Sequence, residues 1–179
     1  MPFESVIDFW FTELTPKHHF AKDPALDKAI RTRFGATLAA AARCELFAWS
    51  TTPEGRVAEV LVLDQFSRNV YRDTPGAFAQ DPMALALAQE LVASGQDRSL
   101  PFAQRSFAYM PYMHSESALV HAQAVVLFDQ SGLEDTLRFE QRHHAIIERF
   151  GRYPHRNAIL GRESTPEELA FLREPGSGF

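Results

Sequence analysis

Six times in this chain a helix-capping residue stands directly before a proline: Thr15-Pro16, Asp23-Pro24, Thr52-Pro53, Thr74-Pro75, Asp81-Pro82 and Thr165-Pro166. A cap oxygen accepts one of the free N–H groups of a helix's first turn. Proline at the next position gives up an N–H that has no partner there anyway. Thr165-Pro166-Glu167-Glu168 also completes a capping box, with Glu168 at the third helical position. Between these starts the apolar residues follow helical spacing, and no series of alternating strands is present. The chain is predicted to be all-α, with helices near 2–13, 24–48, 54–70, 82–94, 101–110, 115–131 and 134–150, and short ones near 156–160 and 166–173. Thr15-Pro16 is equally able to end the first helix, and Gly35 is a candidate break in the second. The run VLVL at 60–63 is too short to identify by itself, but Ala58, Glu59, Asp64 and Gln65 around it favour helix.

Length and composition then bound the rest. At 179 residues, with no linker or low-complexity segment, the sequence is one domain, 1–179, large enough for a substantial core. No 34-residue period of a tetratricopeptide array is present. A net charge of −5 argues against a general nucleic-acid binder. Basic charge is nonetheless concentrated at 138–162, where six Arg face only Glu140 and Glu148. Cys44 is the one cysteine, which excludes an internal disulfide and a Cys-rich metal site. No apolar run approaches the ~20 residues a membrane helix needs, and MPFESVIDFWF has no basic signal-peptide region. The expectation is a cytoplasmic protein with no membrane or nucleic-acid partner.

Polar chemistry gathers in four segments. In EVLVLDQFSRNVYR (59–72), Val60, Leu63, Ser67 and Val70 share a stripe, while Asp64 and Arg68 are four apart and can pair. Gln65, Asn69 and Arg72 lie on the adjoining stripe, and a surface ion pair is the plainer account of this polar edge. In MPYMHSESALVHAQ (110–123), Pro111 is expected to interrupt a helix and Ser115 to cap the next, with His114 and Glu116 at its entrance. His114 and His121 are seven apart, but too few ligands converge for zinc, and no metal or cofactor is expected. In FEQRHHAIIERFG (139–151), Phe139, His143, Ile146, Ile147 and Phe150 form an apolar stripe, so His143 points to the core as a hydrogen-bonded buried histidine. His144, between Glu140 and Glu148, is assigned to a solvated face.

The last segment, RFGRYPHRNAILGREST (149–165), sets four arginines beside Phe150, Ile159 and Leu160. Gly151 is able to end a helix in the left-handed conformation, and Pro154 forces a new turn. Arg152, His155, Arg156, Asn157 and Arg162 thus surround two sharp turns and are close enough to converge. Their guanidiniums are suited either to fasten helices together or to hold a carboxylate or phosphate.

These stretches, LDQFSRNVYR with GAFAQDPMALALA, then YMPYMHSES, then RFGRYPHRNAILGREST, resemble the bacterial domain-of-unknown-function 924 family over roughly residues 3–173. The resemblance implies an array of antiparallel helix pairs similar to tetratricopeptide-repeat superhelices, and carries no assigned activity or catalytic residues. It selects Asp64, Gln65, Arg68 and Asn69; His114, Ser115 and Glu116; and His143, Arg152, Pro154, His155, Arg156, Asn157, Gly161 and Arg162. HAQ at 121–123 departs from the acidic residue expected before the glutamine.

Three functions follow. The favoured one is a binding module that takes an anionic small molecule or peptide in a polar, arginine-lined groove. The alternative is a hydrolase-type enzyme using His114 or His143 with Asp64 or Glu116, although no Gly-x-Ser-x-Gly, P-loop, dinucleotide fingerprint or His-Glu-x-x-His is present. In the third, the motif residues are an interior network that fixes helix packing. The first predicts an open basic groove and the second a deep pocket where the motifs meet.

Overall fold

Most of the cap–proline pairs act where they stand. The computed structural model describes residues 1–178, and helices account for all its regular structure, with no strand among the described residues. Asp23 accepts from Ala25 N at 2.8 Å and opens α3 (Pro24–Ala41), and Thr52 accepts from Gly55 N at 3.1 Å and opens α4 (Pro53–Leu61). Thr165 and Glu168 form the predicted capping box of α10 (Pro166–Phe171). Thr15-Pro16 opens a short helix, α2 (Pro16–His19), after α1 (Glu4–Asp8) has ended in a π-helical turn, Phe9–Glu13. Thr74-Pro75 starts only a 3-10 turn.

The remaining helices are α5 (Ser67–Val70), α6 (Asp81–Ala93), α7 (Phe102–Met113), α8 (Ala118–Phe128) and α9 (Glu134–Phe150). Two expected breaks are absent or displaced. α3 passes through Gly35, which is open on its Cβ side, and stops at Ala41 rather than near 48. α7 runs through Pro111 to Met113, because packing of the buried 107–113 stretch outweighs the one hydrogen bond proline deletes. Ser115 caps nothing; α8 starts later, behind Ser117.

The helix read at 54–70 is the axle of the molecule. It consists of α4, a π-helical turn at Val62–Phe66, and α5, with every residue from Gly55 to Ser67 buried. α1, α6 and α7 pack against α4, and α3 packs against its continuation. Phe66 lies 4.9 Å from Phe34, 5.7 Å from Trp10 and 6.0 Å from Phe9, ring centre to ring centre. A helix covered on all sides has no solvated edge, so the polar stripe predicted for the surface at Asp64 and Gln65 lies inside the protein. α8 and α9 form an outer layer over α7. A second small core of Ile146, Ile147 and Tyr153, flanked by Phe150 and Phe171, ties residues 149–171 to α9. Phe139, placed by spacing on that same stripe, instead faces solvent under the Arg142 guanidinium. Among the described residues no helix is long and apolar enough to cross a membrane.

Candidate functional site

The three motif segments meet at one corner, where the π turn of the axle, the α7–α8 connection and the 149–165 segment come together. Asp64 is at its base, with no exposed surface. Gln65 Nε2 donates to Asp64 Oδ2 at 2.6 Å and His114 Nδ1 donates to Oδ1 at 2.7 Å; Arg68 Nη1 lies 3.0 Å from the same Oδ1. Burial opposes the charge on Asp64, but Arg68, His114 and Gln65 together overcome it and hold the carboxyl well below its ordinary range. Burial, helped by Arg68, lowers His114 against the pull of Asp64, so the ring favours its neutral form. With Nδ1–H committed to Asp64, Nε2 is the free nitrogen. It has no partner among the described residues and is not sealed from solvent, in a side chain 16% exposed.

Asp81 joins this base to the arginine-rich segment. Its carboxylate accepts from Arg68 Nη1 at 2.8 Å and Nη2 at 3.0 Å, and from Arg156 Nη1 at 3.1 Å. Asp81 therefore does not cap α6, as its Asp-Pro context suggests; Gln80 occupies the cap position without a side-chain bond. Arg156 also donates to the His114 carbonyl at 2.9 Å, with its guanidinium 4.5 Å from the Phe78 ring centre and 4.8 Å from that of Tyr153. Burial pulls Arg156 below its ordinary pKa, chiefly against the attraction of Asp81.

A second group continues from Tyr153. Its N–H donates to Glu116 Oε1 at 2.7 Å, and Arg162 grips both Glu116 oxygens at 2.6 and 2.9 Å. Arg162 Nε donates to Asn157 Oδ1 at 2.9 Å, and Asn157 Nδ2 donates to Glu168 Oε2 at 3.2 Å. Arg152 holds both oxygens of Glu168 at 2.6 and 2.8 Å. That pairing, ahead of the Thr165 N–H, lowers Glu168 to about 2. The capping-box glutamate is thus also an ion-pair anchor.

Of the predicted site residues, Asp64, Gln65, Arg68, His114, Glu116, Arg152, Arg156, Asn157 and Arg162 belong to this corner. His143 and His155 flank it, with rings 5.7 and 5.4 Å from Tyr153. His143 is buried and donates from Nδ1 to the Phe139 carbonyl at 2.8 Å, and burial lowers it to about 3. Burial, with Arg156, lowers His155 to about 4. Asn69 is elsewhere. It donates to Asp27 on α3 at 2.8 Å, beside a two-pronged Arg72–Asp27 pair.

Sequence reasoning missed Asp81, Tyr153 and Glu168 as members. Tyr153 lies inside the arginine-rich motif, and Asp81 is an Asp-Pro helix start whose carboxylate is diverted to two arginines. Glu140, which flanks His144 on the face expected to be solvated, has no exposed surface; His121 Nδ1 lies 2.6 Å from its Oε1. His121 Nε2 carries a proton, because its partner at 2.8 Å, the Ser115 carbonyl, only accepts. This pair holds the turn bearing His114 and Glu116 against α9. His144 stacks on His121 and lies 3.6 Å from Glu148, so it is only partly solvated.

Arg68, Arg152, Arg156 and Arg162 are matched by Asp64, Asp81, Glu116 and Glu168. The corner is an ion-pair lattice of balanced charge, rather than the open basic groove expected of a free anion site. Among the described residues no cluster of three or more His, Cys, Asp or Glu is placed to hold a metal ion.

A family model described as a bacterial protein of unknown function (DUF924) matches residues 6–176. The chain belongs to this family. DUF924 thereby extends over all the elements that build the corner. A solved structure titled as a protein of unknown function, ATU0120 from Agrobacterium tumefaciens, is similar at 39% identity and a TM-score of 0.91, covering 96% of each chain. No curated protein matches the chain.

Proposed function

We propose that this DUF924 protein is a helical binding module that takes a small anionic molecule at the corner around His114. The observation that carries the reading is the open Nε2 of His114, set on a carboxylate with no exposed surface. An arginine lattice of balanced charge has little free positive charge to offer. A proton taken up at Nε2 supplies it, so anion binding and ring protonation are coupled. Arg68, 20% exposed and already held on Asp64 and Asp81, lies across the same carboxylate and needs no reordering to face a ligand. The π-helical turn bearing Asp64 supports the reading, since single π turns within α-helices recur at functional sites.

The test is calorimetric titration of inorganic phosphate and of citrate near pH 6, in two buffers of different ionisation enthalpy. Binding with net proton uptake, lost in His114→Asn, is the expected result. Binding without proton uptake, binding unchanged in His114→Asn, or no binding of either anion overturns it.

The Asp64–His114 pair also favours an acid–base enzyme, because a buried carboxylate orienting an imidazole with its second nitrogen open is what a general base requires. Turnover of a phosphate or carboxylate ester that disappears in His114→Asn decides for that reading.

A further inference from the structure

Binding an anion through arginine without a coupled proton is favoured where no carboxylate is paired with the guanidinium. Arg105 meets that condition, well away from the His114 corner. Its Nε donates to the Asp97 carbonyl at 3.1 Å, its Nη1 to Gln130 Oε1 at 2.8 Å, and its Nη2 to the carbonyls of Arg98 and Leu100 at 2.7 and 3.0 Å. All four acceptors are neutral. The guanidinium is held in one orientation, 5.2 Å from the Phe102 ring centre, with its charge intact and one Nη1 hydrogen left over.

The neighbouring acid forms no ion pair with it. Asp97 is buried, and its carboxylate accepts the Tyr109 hydroxyl. Arg98 beside it is exposed and forms no ion pair among the described residues. Arg98 and Arg105 against Asp97 give this spot a surplus of one positive charge. The same residues line a cavity of about 380 Å³ between the end of α6, the start of α7 and the end of α8. Its other walls include Val92, Leu127 and Val126, and Val126 is 72% exposed. The volume lies within the ~300–1,000 Å³ typical of small-molecule sites, which likewise combine apolar walls with a few fixed polar groups.

We infer that this cavity binds a small amphipathic anion. Its acidic group sits beside Arg98 and the spare Nη1 hydrogen of Arg105, and its apolar body covers Val92, Val126 and Leu127. Preorganisation favours it: Arg105 is already locked, so only Arg98 loses freedom on binding.

1-Anilinonaphthalene-8-sulfonate, a sulfonate on an aromatic body, is a direct probe for the full-length chain. The expected result is saturable one-site fluorescence enhancement. Arg98→Gln should weaken it about tenfold by deleting a charge-assisted contact, and Val126→Glu should abolish it. Both positions are exposed, so neither change threatens folding. Arg98→Gln should leave the phosphate and citrate titrations at the His114 corner unchanged, which separates this cavity from the corner proposed above. Absence of saturable enhancement, or enhancement indifferent to both cavity substitutions, overturns the inference.

Discussion

Asp81 accepts a hydrogen bond from Arg156 at 3.1 Å across 75 residues of sequence, although its place directly before Pro82 reads in the sequence as a helix cap. The tertiary demand has taken the side chain. Arg156 is 6% exposed, so Asp81→Asn leaves a buried guanidinium without its counter-charge. The expected cost is about 3–5 kcal/mol, the usual range for losing one partner of a buried pair. Urea denaturation of the variant beside the parent measures it. A loss under ~1 kcal/mol, the scale of a surface pair, would show that the lattice does not hold the helices together.

Asp64→Asn acts on His114. Asp64 pulls the ring's pKa upward through charge and hydrogen bond, against burial and Arg68. Without that charge His114 should titrate at lower pH than in the parent, and ring nitrogen NMR over a pH series reads the change. An unchanged or raised value refutes the assignment of Asp64 as the partner that sets the ring's charge.

Acid sensitivity should begin in the histidine range. Burial lowers His143 from 6.5 to about 3 and His155 from 6.5 to about 4. Between those limits the unfolded chain binds protons that the folded chain does not, so stability falls as pH drops below 6.5. Glu168 adds a later loss, from its ordinary 4.5 down to about 2, as protonation removes its pairing with Arg152. His143→Gln should flatten the stability–pH slope between 6.5 and 4.5 relative to the parent. Equal slopes in denaturation series over that range would exclude His143 as a source.

Two glycine substitutions should move stability in opposite directions. A Cβ on Gly55 would stand 2.1 Å from the Trp49 carbonyl oxygen, at the first turn of α4, whereas one on Gly35 meets nothing within 4 Å. Gly55→Ala should cost about 1–3 kcal/mol or more through overpacking. Gly35→Ala should stabilise α3 by about 0.5–1 kcal/mol, through helix propensity and a less flexible unfolded chain. Melting temperatures of the two variants check both signs.

The elements were legible because their signals are short-range. Asp23, Thr52 and Thr165 cap helices through residues two or three positions away, and Gly151 ends α9 at a φ of 68°. The corner was legible in membership, since nine of the twelve predicted residues converge there. Its character was not. Helical spacing distinguishes faces but not what covers them, so the Asp64–Arg68 edge and the face of His144 beside Glu140 read as solvated, although neither Asp64 nor Glu140 has exposed surface. Asn69 shares a motif with Asp64 but turns to Asp27 on α3.

By itself, then, the sequence determined an all-α chain, most of its helix starts, and which polar residues would gather. The fold class and helix starts follow from hydrogen bonds and side-chain periodicity within a few residues, whereas the gathering polar residues were selected by the family resemblance of their motifs. Only the tertiary structure decided that Asp64 meets His114 fifty residues away, that Asp81 bridges Arg68 and Arg156, and that Arg105 is held on neutral acceptors. Each depends on which helices lie side by side, because burial, not residue type, determines whether a charge must find a partner or can remain open to a ligand.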